Sequence, residues 1–392
     1  MNNTSSPYLI CINAEIKNGF TNCTKSNATV SLPIINIANQ AVAQEPLIST
    51  VFKVLALVIV IILSLVGNFL TIGSIYQNVN KRMRTLSNYL IVNLSTADLL
   101  ITICNMPRMI LILLVGFEWR IGGNFGLLLC KITSTVPSLS LLVSTSSFVF
   151  IALDRFLAVF FPLRRPITRN VMVAIIAFTW ILPCCSYSLL FHYATLKDIY
   201  GKTYCVTSIE TDLLKTPELF RTFFILDFII MSGIPIAAAT TFYTAIGLKM
   251  CTRVTPGIQT ASNAARNRMV SRKVISMLVA VLIAFCICWI PTWASLACLY
   301  LPQRGFCNSY DFFYFKFFMS YFNSAVTPYI YPVFNQNFRE GYLYILRQIS
   351  GRCCFWKMCR CCSYAQVLPQ QEEKPCTTSS RTERLCLNTT EL

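Results

Sequence analysis

Long apolar stretches alternate along the chain with short polar ones. Seven stretches qualify, at residues 48–77, 87–115, 130–158, 171–193, 219–250, 272–300 and 311–334. Each supplies the about 20 apolar residues that a helix needs to cross a bilayer core. Pro137 interrupts the third and Pro235 the fifth. Bundled membrane helices tolerate proline because neighbouring groups satisfy the backbone it leaves open. The pattern predicts an all-α membrane protein, a seven-transmembrane helix bundle over 48–334 behind a polar tail at 1–47. An odd number of spans places the two termini on opposite sides.

Composition agrees. The 392 residues are 55% hydrophobic and only 12% charged, against roughly 25% charged in soluble domains. So much apolar surface belongs in lipid. The net charge of +17 is explained by topology and does not call for nucleic acid. Lys81, Arg82 and Arg84 follow span one, and Arg164, Arg165 and Arg169 follow span three. Arg253, Arg266, Arg268, Arg272 and Lys273 precede span six, and Arg339, Arg347, Arg352, Lys357 and Arg360 follow span seven. The other loops mix signs. By the positive-inside rule the basic loops are cytoplasmic and the N-terminus is outside. The basic face also suits anionic membrane lipid and an acidic partner.

The N-terminus has no basic segment followed by an apolar core, so span one is the expected insertion signal. Residues 1–47 carry sequons at Asn2, Asn3, Asn22 and Asn27. Clustered in an outside segment, these are candidate glycosylation sites.

The nineteen cysteines sort by location. Cys11, Cys23, Cys130, Cys205, Cys298 and Cys307 lie outside or at the outer membrane edge, where disulfides persist. Cys130 opens span three and Cys205 lies in the long loop before span five. A bridge between them would pin that loop across the bundle mouth. The pairing of Cys11, Cys23, Cys298 and Cys307 stays open. Past span seven, a tract beginning at Cys353 and Cys354 lies among Arg352, Phe355, Trp356 and Lys357. Juxtamembrane cysteines of this kind fit S-palmitoylation. Zinc is the competing reading, disfavoured because no histidine is near and paired CxxC elements are lacking.

Polar residues inside the spans are few. Asn68 lies in span one, Asp98 in span two, Ser140 and Ser144 in span three, and Asn323, Ser324 and Thr327 in span seven. An ionised aspartate near mid-bilayer needs partners or a cation. A hydrogen-bonded cluster around a protonated Asp98 is the alternative. Pro291 in span six removes a backbone bond and makes a hinge, with Phe285 and Trp289 on one face below it. The third span ends in Asp154-Arg155-Phe156, charges costly enough at a membrane edge to imply function.

At these residues the chain strongly resembles the rhodopsin-like (class A) G-protein-coupled receptors. The likeness covers about residues 48–345: Gly67-Asn68, Asn93 to Leu100 with Asp98, Cys130 with Cys205, Asp154-Arg155-Phe156, Trp180, Pro235 with Tyr243, Phe285 through Pro291, and Pro328 with Tyr331. Residues 335–352 are similar to the family's amphipathic eighth helix, with a Cys-rich and then disordered tail over 353–392. The resemblance implies a Cys130–Cys205 disulfide. It implies that Arg155 is held by Asp154 at rest and engages a heterotrimeric G protein when active. Phe285 and Trp289 would relay ligand contact to an outward swing of span six, hinged at Pro291. Tyr243 and Tyr331 would rearrange, beside Pro328. Asp98, Ser144, Asn323 and Ser324 would line a pocket for an allosteric sodium ion, the one cofactor in view.

Three positions depart from the family pattern. Phe156 replaces a tyrosine, Thr327 replaces an Asn or Asp, and Ser271 replaces the acidic residue that latches onto the arginine. A looser resting latch and raised basal activity are the expected consequence.

Absences narrow the ligand. The span-three aspartate of amine receptors corresponds here to Pro137, and the retinal lysine of opsins to Tyr321. The 115–150 region and the Leu86–Leu100 run are most similar to neuropeptide receptors, and Pro137 to tachykinin-type receptors. Acidic Asp198, Glu210, Asp212 and Glu218 in the long outer loop suit a basic or amidated peptide. Arg108, Asp227, Trp293, Phe317 and Tyr321 are the candidate ligand contacts near the outer side. Lys316 is expected to be solvated. The tail carries Thr377-Thr378-Ser379-Ser380, suited to phosphorylation and arrestin capture. A lipid or small-molecule receptor is the alternative within the class. A transporter would need repeats or further mid-bilayer charges. No nucleophile–base set points to an enzyme.

Overall fold

The structure, a computed structural model, describes residues 45–81, 83–161, 168–199, 201–207, 222, 225–252, 261–298 and 309–355. Asn2, Asn3, Asn22 and Asn27, Cys11, Cys23 and Cys307, the acidic Glu210, Asp212 and Glu218, and the Thr377–Ser380 cluster lie outside these residues. So do the side chains of Ser271, Cys353 and Cys354.

Span one is the helix Leu47–Gln77. Span two is two helices, Leu86–Cys104 and Met106–Val115, meeting at Asn105. Span three is Gly123–Phe160 and span four Arg169–Ser186, extended by a short helix Ser188–Tyr193. Span five contains a π segment, Ile229–Gly233, followed by the helix Ile234–Thr252. Span six is Ala261–Ala297 and span seven Tyr310–Phe334; the terminal helix is Gln336–Phe355. Spans one, two, three, four and six are long and apolar enough to cross a membrane. Span seven has the length but spends many positions on Tyr, Asn and Ser.

Local signals set the ends. The side chains of Thr85, Thr168 and Ser309 accept from the backbone N–H of Asn88, Val171 and Phe312, which caps spans two, four and seven. Asn78 closes span one in the left-handed region, φ 45°, a conformation its short amide side chain tolerates.

Span three began earlier than its apolar run suggested, so Cys130 sits about two helical turns inside the helix rather than at its start. Of the five spans long and apolar enough to cross a membrane it is the most buried, and span four the least. Span one is inverted relative to a soluble helix. Phe52, Leu55, Ile59, Ile62, Val66 and Phe69 are exposed on one stripe, while Ser64, Asn68, Thr71 and Ser74 are buried. The apolar stripe meets lipid and the small polar stripe packs inward, where helices approach closely. At Gly67 an added Cβ would lie 2.8 Å from the Cβ of Pro328, so only glycine fits between spans one and seven.

The long loop between spans four and five contains a β-hairpin. Strand β1 (Ala194–Ile199) pairs antiparallel with β2 (Lys202–Thr207), with Leu196 opposite Cys205. Gly201 supplies the positive φ, 75°, that a tight hairpin turn needs. The Cys130–Cys205 disulfide ties β2 to span three. Trp119 N–H donates to Thr203 O at 2.7 Å, so the loop between spans two and three holds the same strand. Cys298 is also disulfide-bonded.

Candidate functional site

The prolines organise the interior. A helical proline leaves the carbonyl four residues earlier without its N–H partner. Pro137 leaves Thr133 O, which accepts from Asn105 Nδ2 at 2.7 Å. Pro328 leaves Ser324 O, which accepts from Asn68 Nδ2 at 3.0 Å. Pro332 leaves Pro328 O, which accepts from the Tyr342 hydroxyl at 2.9 Å. Three kinks are thus each closed by a side chain from another helix, fixing spans one, two, three and seven and the start of the terminal helix to one another.

At the Pro137 kink a cavity of about 700 Å³ lies between spans two to five and seven. Cys205 and Thr207 of β2 form part of its wall, so the disulfide-held hairpin bounds it. Four of the five candidate ligand contacts line it: Arg108, Asp227, Phe317 and Tyr321. Pro137 lines it as well. Arg108 Nη1 donates to Thr133 Oγ1 at 3.1 Å, and the guanidinium lies over the Trp119 ring at 5.3 Å. Asp227 Oδ1 accepts from the Tyr187 hydroxyl at 3.3 Å. Tyr321 donates to Asn105 Oδ1, so Asn105 joins the cavity floor to the Pro137 kink.

Trp293 does not line the cavity. It packs edge-on against Phe228 at 5.8 Å and joins the lower core cluster. Lys316 is only partly exposed, with its ammonium 5.7 Å from the Phe313 ring centroid and 5.2 Å from that of Phe317. The run of aromatic neighbours along span seven explains this, since a lysine between them finds ring faces before water. Sequence reasoning missed Asn105 and Tyr187 as cavity residues. Their only signals were an amide within an apolar run and a tyrosine four residues past Pro183.

Deeper in the bundle, Asp98 Oδ1 accepts from Ser324 Oγ at 3.0 Å. Asp98 Oδ2, Asn323 Oδ1, Asn68 Oδ1 and Ser140 Oγ are buried without a hydrogen-bond partner among the described residues. Ser144 and Thr327 are buried too. Such a set of hard oxygen atoms with spare lone pairs suits a hard cation. In the same depth, Asn93 Nδ2 donates to Ser147 and Thr179 while its Oδ1 accepts from Trp180 Nε1 at 2.6 Å, which binds spans two, three and four.

Phe285 and Trp289 stack obliquely with centroids 5.8 Å apart, and Phe285 meets Phe148 of span three edge-on at 5.1 Å. Pro291 lies within span six just above them. Tyr243 and Tyr331 are buried, and Tyr331 stacks on Phe338 of the terminal helix at 5.2 Å.

Near the C-terminal end of span three, Arg155 Nη2 pairs with Asp154 Oδ2 at 2.6 Å. Ser87 of span two joins them: its hydroxyl donates to Asp154 at 2.5 Å and accepts from Arg155 Nε at 3.0 Å. Phe156 packs on Phe160 at 4.3 Å and on Phe242 of span five at 5.3 Å, so an aromatic contact stands where a tyrosine hydroxyl is missing. Asn80 and Gln336 donate to Glu340, holding its carboxyl below the usual carboxylate range and tying the turn after span one to the terminal helix.

Residues 67–331 match the family described as 7 transmembrane receptor (rhodopsin family). The human substance-K receptor is 26% identical over 93% of this chain and 83% of its own length. The substance-P receptor of Aquarana catesbeiana is 28% identical over 74% of this chain and 69% of its own. Human neuropeptide FF receptor 1 is 28% identical over 82% and 75%. The kinked spans, the disulfide-held hairpin and the Asp154–Arg155 pair agree with that match. The chain belongs to the rhodopsin family of G-protein-coupled receptors, multi-pass proteins of the plasma membrane that are receptors and not enzymes.

Proposed function

We propose that this receptor binds an extracellular peptide in the cavity beneath the hairpin and activates a heterotrimeric G protein through outward movement of span six. The cavity carries the reading. It is large enough for several side chains, mostly apolar, and furnished with a guanidinium, a carboxylate and hydroxyls that can fix orientation. Relatives named for substance K, substance P and neuropeptide FF support a peptide. The basic loops support a cytoplasmic face at the Arg155 end and an outside N-terminus. Arrestin capture by the phosphorylated tail, glycosylation of the N-terminal tail and palmitoylation near Cys353 belong to the same proposal. A sodium ion belongs to the same proposal: Asp98, Ser144, Asn323 and Ser324 would hold it, and buried oxygens of Asp98, Asn323 and Ser140 without a hydrogen-bond partner among the described residues support a positive charge that offsets the buried carboxylate.

The test is second-messenger output from cells expressing the full chain with a promiscuous G protein. The stimulus is a panel of amidated and free-acid peptides, with Arg155→Ala as control. A saturable response absent from the control is expected. Silence toward peptides but a response to a lipid panel, at confirmed surface expression, would replace the peptide with a lipid ligand.

A further inference from the structure

The cavity is electrically asymmetric. Among the described residues, Arg108 is its one basic lining side chain and Asp227 its one acidic one. They stand on different walls, span two and span five. Asp227 is half-buried within the membrane-spanning region, where an unmatched carboxylate is costly. Its single hydrogen bond comes from Tyr187. The ion pairs among the described residues are Lys53 with Glu45 and Asp311, Arg155 with Asp154, and Lys202 with Glu118, so Asp227 is in none of them.

Two further features point the same way. Leu190, Leu226 and Ile230 line the cavity beside Asp227. Such a sleeve suits the methylene stem of a long basic side chain whose charged head reaches the carboxylate. Pro137 lines the span-three wall and offers no charge there, while the span-two wall presents Arg108, a like charge already engaged with Thr133 and Trp119. The place where a cationic group gains most is therefore the seam of spans four and five.

We propose that the Asp227–Tyr187 seam is the subsite for a basic side chain of the ligand, arginine or lysine, with the Asp227 carboxylate as its counter-ion. The Tyr187 hydroxyl positions that carboxylate. The proposal rests on the peptide reading above and adds to it the charge of the group that enters, and the wall it enters.

The test uses purified full-length receptor in lipid nanodiscs. The probe is a synthetic pool of short peptides in matched sets, carrying arginine, lysine, or neutral citrulline at one position, as amides and as free acids. Binding is read by affinity selection, with empty nanodiscs subtracted. Arginine and lysine peptides are expected to be enriched about tenfold or more over their citrulline partners, since losing one partner of a buried charge pair costs more than one decade of affinity. Asp227→Asn, which still accepts from Tyr187, should bring that ratio close to one. Asp227→Glu should keep most of it. Tyr187→Phe should reduce it less than Asp227→Asn does. A ratio near one on the wild-type receptor overturns the proposal while leaving the peptide reading intact. A high ratio that persists in Asp227→Asn also overturns it. Enrichment of no peptide at all defeats the peptide reading and this subsite together.

Discussion

Asn105 Nδ2 donates across the bundle to Thr133 O at 2.7 Å, the carbonyl that Pro137 deprives of its own N–H. The same amide accepts from Tyr321 through its other atom. One side chain thus satisfies a kink in span three and holds span seven. Asn105→Leu should lower thermal stability by about 1 kcal/mol, the order measured for hydrogen bonds between membrane helices. Pro137→Ala restores the backbone N–H that Thr133 O lacks, so the double variant should lose less than the sum of the two. Thermal unfolding of the four proteins in detergent closes the cycle. Strict additivity would show that the two groups are independent.

Span seven gives a second test. Gly67 and Pro328 approach so closely that a methyl at residue 67 lies 2.8 Å from the Pro328 Cβ, backed by a backbone that is itself kinked. Gly67→Ala should cost about 1–3 kcal/mol by overpacking and reduce surface expression. Recovery at lowered growth temperature would separate misfolding from loss of signalling. Unchanged melting would mean that span one slides aside at no cost.

Much of this was legible in the sequence because bilayer physics leaves few choices. Seven apolar runs located the spans, and Asp154-Arg155 marked the last turns of span three. Three things were not legible, each for a stated reason. Strands β1 and β2 are short and carry mixed polarity, and Tyr204 and Thr207 are buried on opposite faces of β2, so no alternating period stood out. The break in span two falls at Asn105, just before Pro107 at the start of the second helix, and the apolar run 87–115 reads straight through it. Lys316 read as solvated because charge predicts water, whereas it is half-buried against the Phe313 and Phe317 rings. Trp293, grouped with the ligand contacts by its aromatic character, turns toward Phe228 instead.

The resting latch should be weak. Asp154, Arg155 and Ser87 form a compact triad, but it is partly exposed, and partly exposed ion pairs contribute only about 0–1 kcal/mol. Position 271 offers serine where family members offer a second acid, and Lys273 beside it is exposed. Ser271→Glu should therefore lower basal signalling, and Asp154→Asn should raise it, by roughly fivefold for each 1 kcal/mol shifted. Both are read as second-messenger output without added ligand, at matched surface expression. If wild-type basal output equals that of untransfected cells, the loose-latch expectation fails.

Asp98 offers the sharpest contrast between a structural and an ionic role. Its Oδ1 is satisfied by Ser324, while Oδ2, Asn323 Oδ1 and Ser140 Oγ are buried with no partner among the described residues. A protonated Asp98 would make a neutral hydrogen-bonded cluster indifferent to the cation in the buffer. An ionised one would be stabilised by sodium, by RT ln(1 + [Na⁺]/Kd), about 1.4 kcal/mol for each tenfold excess over Kd. The melting temperature of purified receptor should therefore rise with NaCl but not with equal N-methylglucamine chloride. Asp98→Asn should abolish that difference while raising stability in sodium-free buffer, because it removes a buried charge and keeps the acceptor for Ser324. Asn323→Ala should shrink the sodium effect without the compensating gain. Equal responses to both salts in the wild type would assign Asp98 to the neutral cluster and remove sodium from the mechanism.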